Sequence, residues 1–225
     1  MRILALSDMH NDVENLMPYI EKAAELKPDV VVCPGDFTDV NLPKGFSKVE
    51  MAKLVIAELG SFGKPIMAVP GNQDKEIIGV LERGGVSIHG TGRIIDSVGF
   101  YGFGGAKTPF GTSYEPDESE IESGLEKAYE YVKQAKVKVQ VTHNPPARTK
   151  LDMIPSGAHV GSETVRMFIE KNQPLVAIAA HVHESRNVDS IGSCKIINSG
   201  RFPEGYCGLV EIDDGSASVK IVSLV

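Results

Sequence analysis

The chain has 225 residues, 42% of them hydrophobic and 24% charged, which is enough apolar material for one cored domain and excludes a disordered segment. Its formal charge of -7 argues against a broad nucleic-acid or anionic-membrane surface, because both partners demand a positive field. Cys33, Cys194 and Cys207 are too few and too irregularly spaced for a disulfide framework or a CxxC zinc site, so buried thiols in a reducing cytoplasm are expected. The apolar run before Asp8 is too short for a signal peptide, and no run approaches the ~18 apolar residues of a membrane span, so a soluble intracellular protein is expected.

Taken in order, RILALSD, PDVVVCPGD, KPIMAVPGN, KVKVQVTHN and LVAIAAHVH each read as a buried strand. DVENLMPYIEKAAELK, between the first two, places Val13, Leu16, Met17, Ile20, Ala23 and Ala24 at helical spacing. Asn11 or Asp12 supplies its N-cap, and Pro18 costs little within the first two turns. Further helices are expected over Lys48 to Leu59, Asp74 to Arg83, Asp117 to Ala135 and Ser162 to Lys171. Two stretches break the alternation. VSIHGTGRIIDSVGFYGFGG reads as consecutive antiparallel strands, and CKIINSG, GYCGLVEID and ASVKIVSLV read as a C-terminal meander. This many strands fit a single α/β domain, 1–225, built from two mixed sheets covered outside by helices. Thr108 to Glu118, rich in turn formers, is expected to be the most flexible stretch.

The polar residues fall where the apolar runs end: Asp8-Met9-His10, Gly35-Asp36, Gly71-Asn72, Thr142-His143-Asn144 and His181-Val182-His183. In open α/β sheets the carboxyl ends of strands are where ligands bind, since loops there bring distant side chains together. Mixed carboxylate and imidazole suit manganese, iron, zinc, cobalt or nickel, whereas an all-oxygen set favours magnesium or calcium. Seven N/O groups exceed the four or so that one zinc needs, and a carboxylate such as Asp36 can bridge two ions. Paired ions about 3.5 to 4 Å apart form the phosphoester-cleaving arrangement, in which a bridging hydroxide attacks and both metals neutralise the developing charge.

At these residues the chain resembles the calcineurin-like metallophosphoesterase superfamily, whose blocks run D-x-H, G-D, G-N-H-D/E, H and G-H-x-H. Here they read SDMH, PGD, GNQD, THNPP and AHVHES, in the family order over nearly the whole chain. The resemblance implies a four-layer αββα sandwich of two mixed β-sheets flanked by helices. It also implies that Asp8, His10, Asp36 and His183 hold one divalent metal and that Asp36, Asn72, His143 and His181 hold the other, with manganese first among the candidates and Asp36, Asn72 and His143 catalytic.

Two departures stand out. Ala180 replaces a glycine, tolerable if its backbone keeps a negative φ. Gln73 replaces the usual histidine beside the leaving group; an amide donates a hydrogen bond but cannot act as a general acid near pH 7. Phosphodiesterase activity on a small phosphoester is therefore favoured over phosphomonoesterase activity. Water on a metal, or His159, would supply the missing proton, and Arg186, just after the last block, either reaches a phosphate or forms a surface salt bridge. His89, within VSIHG, keeps the default structural role. The alternatives are a non-catalytic interaction scaffold, favoured only by Gln73, and a nuclease, disfavoured by the lack of a basic extension. Substrate choice is expected to reside in the loops 39–47, 106–118 and 147–159.

Overall fold

The computed structural model describes residues 1–225. In chain order the elements are β1 (Arg2–Ala5), α1 (Val13–Ala24), β2 (Val30–Cys33), α2 (Lys48–Gly60), β3 (Ile66–Ala68), α3 (Ile78–Arg83), β4 (Thr91–Ile95), β5 (Val98–Phe103), α4 (Glu118–Glu130), β6 (Val137–Thr142), α5 (Glu163–Asn172), β7 (Val176–Ala179), β8 (Asn187–Ile191), β9 (Cys194–Asn198), β10 (Tyr206–Asp213) and β11 (Ser216–Ser223). One sheet has the order β11-β10-β1-β2-β3 and the other β4-β5-β6-β7-β9-β8. Both are mixed: β1, β2 and β3 run parallel in the first, and β5, β6, β7 and β9 in the second, with antiparallel strands at the margins.

Side-chain alternation along the strands builds the layers. In β1, Ile3 and Ala5 face the second sheet, joining Val32, Phe100, Val141 and Ile178 in the core between the sheets. Leu4 faces the other way, into a cluster with Leu16, Ile20, Val55 and Leu81 from α1, α2 and α3. On the far side, Leu125, Val165 and Ile169 of α4 and α5 cover Tyr101, Ala177 and Ile196. The order helix, sheet, sheet, helix is the expected αββα sandwich. Burying a side chain such as Leu4 or Ile178 contributes about 1.5 to 3 kcal/mol, so each face of each sheet is held by its own apolar layer.

Helix starts follow local chemistry. Ser47 with Glu50 and Asp117 with Glu120 form capping boxes for α2 and α4, and Asp12 and Ser162 cap α1 and α5. Pro18 is accommodated within α1. The helix expected from Asp74 begins instead as a 3-10 turn over Lys75–Ile77 that leads into α3. The α4 helix stops at Glu130 rather than Ala135.

Two expectations are corrected, and one strand was not foreseen. VSIH makes no regular strand: Ser87 bridges Ala68 of one sheet while His89 bridges Gly102 of the other, so the segment stitches the sheets together. The C-terminal strands do not form one meander, since β9 joins the second sheet beside β7 and only β10 and β11 form a hairpin in the first. Strand β8, polar and half-exposed, carried no apolar signal in the sequence. All three cysteines are unpaired and buried. No helix is long and apolar enough to cross a membrane.

Candidate metal centre

The carboxyl ends of β1, β2, β3, β6 and β7 meet at one end of the sandwich. Beyond β1 the backbone keeps pairing alongside the turn after β2: the Asp8 N–H donates to Gly35 O, His10 to Asp36 O and Asn11 to Phe37 O. That path carries Asp8 (φ 56), His10 (φ 47) and Asp36 (φ 51) into the left-handed region, which is strained for residues with a Cβ, and His181 (φ 73), after β7, adopts it as well. Ala180 is absent from this set, so its Cβ is tolerated as expected. Gly71 is obligatory for steric reasons, because a Cβ there would lie 2.0 Å from Asp36 Oδ1.

The seven expected ligands converge. His183 Nε2 lies 3.4 Å from Asp8 Oδ1 and 3.2 Å from His10 Nε2, which is itself 3.7 Å from Asp36 Oδ2. His143 Nε2 lies 3.5 Å from Asp36 Oδ2 and 2.8 Å from Asn72 Oδ1. His181 packs beside His143, the ring centres 5.1 Å apart. Two groups able to hold an ion emerge, Asp8, His10 and His183, and Asp8, Asp36 and His143; Asp8 is common to both, while Asp36 belongs to the second and approaches the first only through His10 at 3.7 Å.

The donor set fits divalent cations. Asp8 is fully buried, yet neither carboxylate oxygen has a hydrogen-bond partner, an expensive arrangement unless cations accept their lone pairs. Burial alone would raise the Asp8 pKa, but His183, His143 and His10 outweigh it and hold the group well below the usual carboxylate range. Asp36 is likewise lowered: burial opposes ionisation, His143 and His10 favour it more, and Asp8 opposes. Burial would lower His143, but Asp36, Asp8 and the Pro34 carbonyl raise it to about 9. His181 is depressed to about 4 by burial and by His143, leaving it neutral with a lone pair to offer.

Contacts outside the seven fix their aim. His143 Nδ1–H donates to Pro34 O at 2.8 Å, which turns Nε2 toward the centre. Asp39 Oδ2 lies 3.2 Å from His10 Nδ1, an ion-pair contact on the ring's far side without the alignment of a hydrogen bond. Asp74 accepts from the N–H groups of Phe37, Thr38 and Gly71, tying the turn after β2 to the turn after β3. Burial and the Asp36 charge raise Asp74 to about 6 despite those donors. Neither contact is signalled by the sequence: Asp39 opens the 39–47 loop three residues past Asp36, and Asp74 closes the GNQD block.

The three other expected site residues separate. Gln73 uses its backbone, its N–H donating to Asp36 Oδ1 at 3.0 Å, and its side chain is half-buried. His159 sits on a hairpin where Nδ1 is 2.8 Å from the fully buried Asp152, and it makes no contact with the seven. Arg186 lines a cavity beside His183. The stretch 108–116 lacks regular structure yet is tied down. Glu115 accepts from Thr108 and Thr112, and both the Tyr114 N–H and Ser113 Oγ donate to Asn72 O.

An αββα sandwich with mixed carboxylate, imidazole and amide donors gathered at its strand ends defines a metal-dependent phosphoester hydrolase. The profile of the calcineurin-like phosphoesterases matches residues 1–185, and the chain belongs to that family, whose members bind divalent metal ions. It is 34% identical over 212 residues to an uncharacterized protein of Methanocaldococcus jannaschii, covering 92% of this chain and 90% of that one. Among solved structures, TT1561 of Thermus thermophilus shares the fold with a TM-score of 0.74 at 19% identity, covering 100% of this chain and 99% of that one. A dimetal phosphatase from Danio rerio does so with a TM-score of 0.63 at 11% identity, covering 100% and 99%.

Proposed function

We propose that this chain hydrolyses small phosphodiesters in preference to phosphomonoesters, with residues 1–225 acting as one catalytic domain. Two divalent ions would be held by Asp8, His10, Asp36 and His183 on one side and by Asp36, Asn72, His143 and His181 on the other. The observation that carries this reading is Asp8, fully buried among three imidazoles with both oxygens unpartnered. When bound, the ions supply Lewis acidity toward the phosphoryl oxygens and activate water as the nucleophile. Manganese is the favoured metal by the family resemblance, and the mixed nitrogen and oxygen donors suit iron, zinc, cobalt and nickel as well.

Asn72, beside His143, can offer its amide oxygen to an ion and turn its amide N–H toward a phosphoryl oxygen. Gln73 can donate a hydrogen bond but no proton, so esters whose leaving group departs without protonation are the favoured substrates. Three unpaired buried cysteines suit a reducing cytoplasm.

The test strips the protein of metal, reloads it separately with manganese, iron, nickel, cobalt, zinc and magnesium, and assays bis(p-nitrophenyl) phosphate against p-nitrophenyl phosphate. Turnover of the diester should exceed that of the monoester, and Asp36→Ala should abolish turnover and lower metal content. An Asp36→Ala protein with wild-type turnover and metal content would sink the ligand assignment. Inertness toward both esters with every metal would sink the hydrolase reading.

A further inference from the structure

Beside His183 lies a cavity of about 390 Å³, lined by His183, Glu184, Arg186 and Glu204. Its far wall comes from the turn after β9, whose carboxyl end lies beside that of β7. Asn198 joins the two turns: its Nδ2 donates to Val182 O at 2.9 Å and its Oδ1 accepts from the Gly200 N–H at 2.9 Å. The next residue, Arg201, forms a parallel bridge with Ser7, immediately before Asp8. Two arginines therefore flank the metal centre.

Arg186 is held in place, Arg201 reaches the cavity wall only through Glu204, and neither guanidinium makes a hydrogen bond. The Arg186 guanidinium carbon lies 3.5 Å from the centre of the Tyr206 ring, a stacked arrangement that holds the planar group while leaving its in-plane donors available. Its stem lies against Gly200 (φ 71), where a Cβ would approach Arg186 Cβ and Cδ to 3.1 Å, so the glycine makes room for the arginine. Arg186 and Arg201 share one carboxylate, Glu204, each at 3.6 Å, beyond hydrogen-bond length. Arg201 Nε is buried without a partner. Glu184 at the rim offsets the excess positive charge, so selection here rests on aimed N–H donors rather than on net field.

We propose that Arg186 and Arg201 form an anion subsite that receives a second phosphate-class group carried by the phosphoester being cleaved, with Glu204, 48% exposed, as the internal anion it displaces. This rests on the hydrolase reading above and narrows the substrate to an ester bearing two phosphorus-centred anions. Planar guanidinium donors match phosphate oxygens bidentately, which Glu204 at its present distance does not exploit.

The test uses the metal-loaded full chain and two diesters, 4-nitrophenyl phenyl phosphate and its 4-phosphonophenyl analogue, whose second anion is not hydrolysable. The wild type should prefer the phosphonate by at least about 10-fold in kcat/KM, the range of one to two charge-assisted hydrogen bonds. Arg186→Ala and Arg201→Ala should each lower that ratio, the double variant should bring it near one whatever its absolute turnover, and Glu204→Gln should raise it. A wild-type ratio near one, or a ratio preserved in the double variant, overturns the subsite and leaves the hydrolase reading intact. If neither diester turns over with any metal, the hydrolase reading fails and calorimetry with inorganic phosphate on the metal-free protein decides the subsite. Phosphate binding lost in the double variant supports it, and binding that is absent or unaltered overturns it. Thermal melts of the single variants separate misfolding from a lost contact.

Discussion

His143 Nε2 and Asn72 Oδ1 face each other at 2.8 Å, while the other ring nitrogen of His143 is committed to Pro34 O. With the amide oxygen toward the ring, a lone pair at that distance calls for a positive charge between or beside them; the amide turned over would instead offer its N–H to the lone pair. In the metal-free protein that charge is the proton that Asp36 and Asp8 hold on His143 up to about 9, against the effect of burial. Metal and proton thus compete for one position. Metal addition in weak buffer should release protons, and apparent affinity should rise with pH until His143 is already deprotonated near pH 9. Calorimetry in buffers of different ionisation enthalpy measures both; an affinity independent of pH between about 6 and 9 would remove His143 from the ligand set.

Metal removal should also cost stability. At a free metal concentration of about 100 times Kd, binding adds about 2.7 kcal/mol, so a chelator should lower Tm by roughly 5 to 10 °C in a chain of this size. Scanning calorimetry with and without chelator checks this. The loss should shrink in Asp8→Asn, because Asp8 stands in both candidate groups.

The 3.2 Å contact from Asp39 to His10 Nδ1 leaves Nε2 free for metal. Removing a carboxylate that contacts a ligating histidine costs about 10- to 100-fold in metal affinity. Asp39→Ala should therefore weaken metal binding by that factor with the fold intact, as read by metal titration alongside circular dichroism. Unchanged affinity would show that His10 is aimed by its backbone alone.

Gln73→His would restore an acid beside the leaving group. A well-placed general acid contributes about 100- to 10,000-fold, and only where the leaving oxygen needs a proton. Turnover of alkyl phosphoesters should rise relative to aryl esters, with a new basic limb in the pH profile. Equal gains for both ester classes would argue that the substitution acts by packing.

His89 clamps the stretch above Asn72. Its Nδ1 accepts from the Gly104 N–H at 3.0 Å, its Nε2 meets Tyr114 OH at 3.1 Å, and the Tyr114 N–H donates to Asn72 O. Burial, with a smaller push from Lys127, depresses His89 from 6.5 to about 4. Between those values the unfolded chain binds the proton and the folded chain does not. Stability from this residue is therefore full above about pH 6.5 and is lost as pH falls toward 4, by up to about 3 kcal/mol. Urea titrations at about pH 7.5 and pH 5 should show the advantage of wild type over His89→Gln narrowing at the lower pH. A constant gap would refute the clamp's dependence on neutral imidazole.

Strand-terminal Asp, His and Asn residues after runs such as VVVC and AIAA are legible in a sequence because period and burial are local properties, and five such ends in order marked the residues that the fold brings together and pointed to the layered fold. His89 was not legible in this way. Its clamp joins Tyr114 and Gly104, residues distant in sequence, and the segment VSIH resembles a strand while serving as a link between two sheets. The polar strand β8 and the parting of β9 from β10 escaped for a related reason: partner choice among strands depends on the whole sheet and leaves no local periodicity.

By itself, then, the sequence determined which side chains could bind metal and that apolar strands would carry them to a common end. Tertiary structure decided what surrounds them: Asp39 set against His10, Asp74 joining two turns, Asp8 left without hydrogen-bond donors, and Arg186 brought beside Arg201. Those relations are set by through-space packing of segments far apart in the chain, where distance and desolvation fix each group's charge and direction.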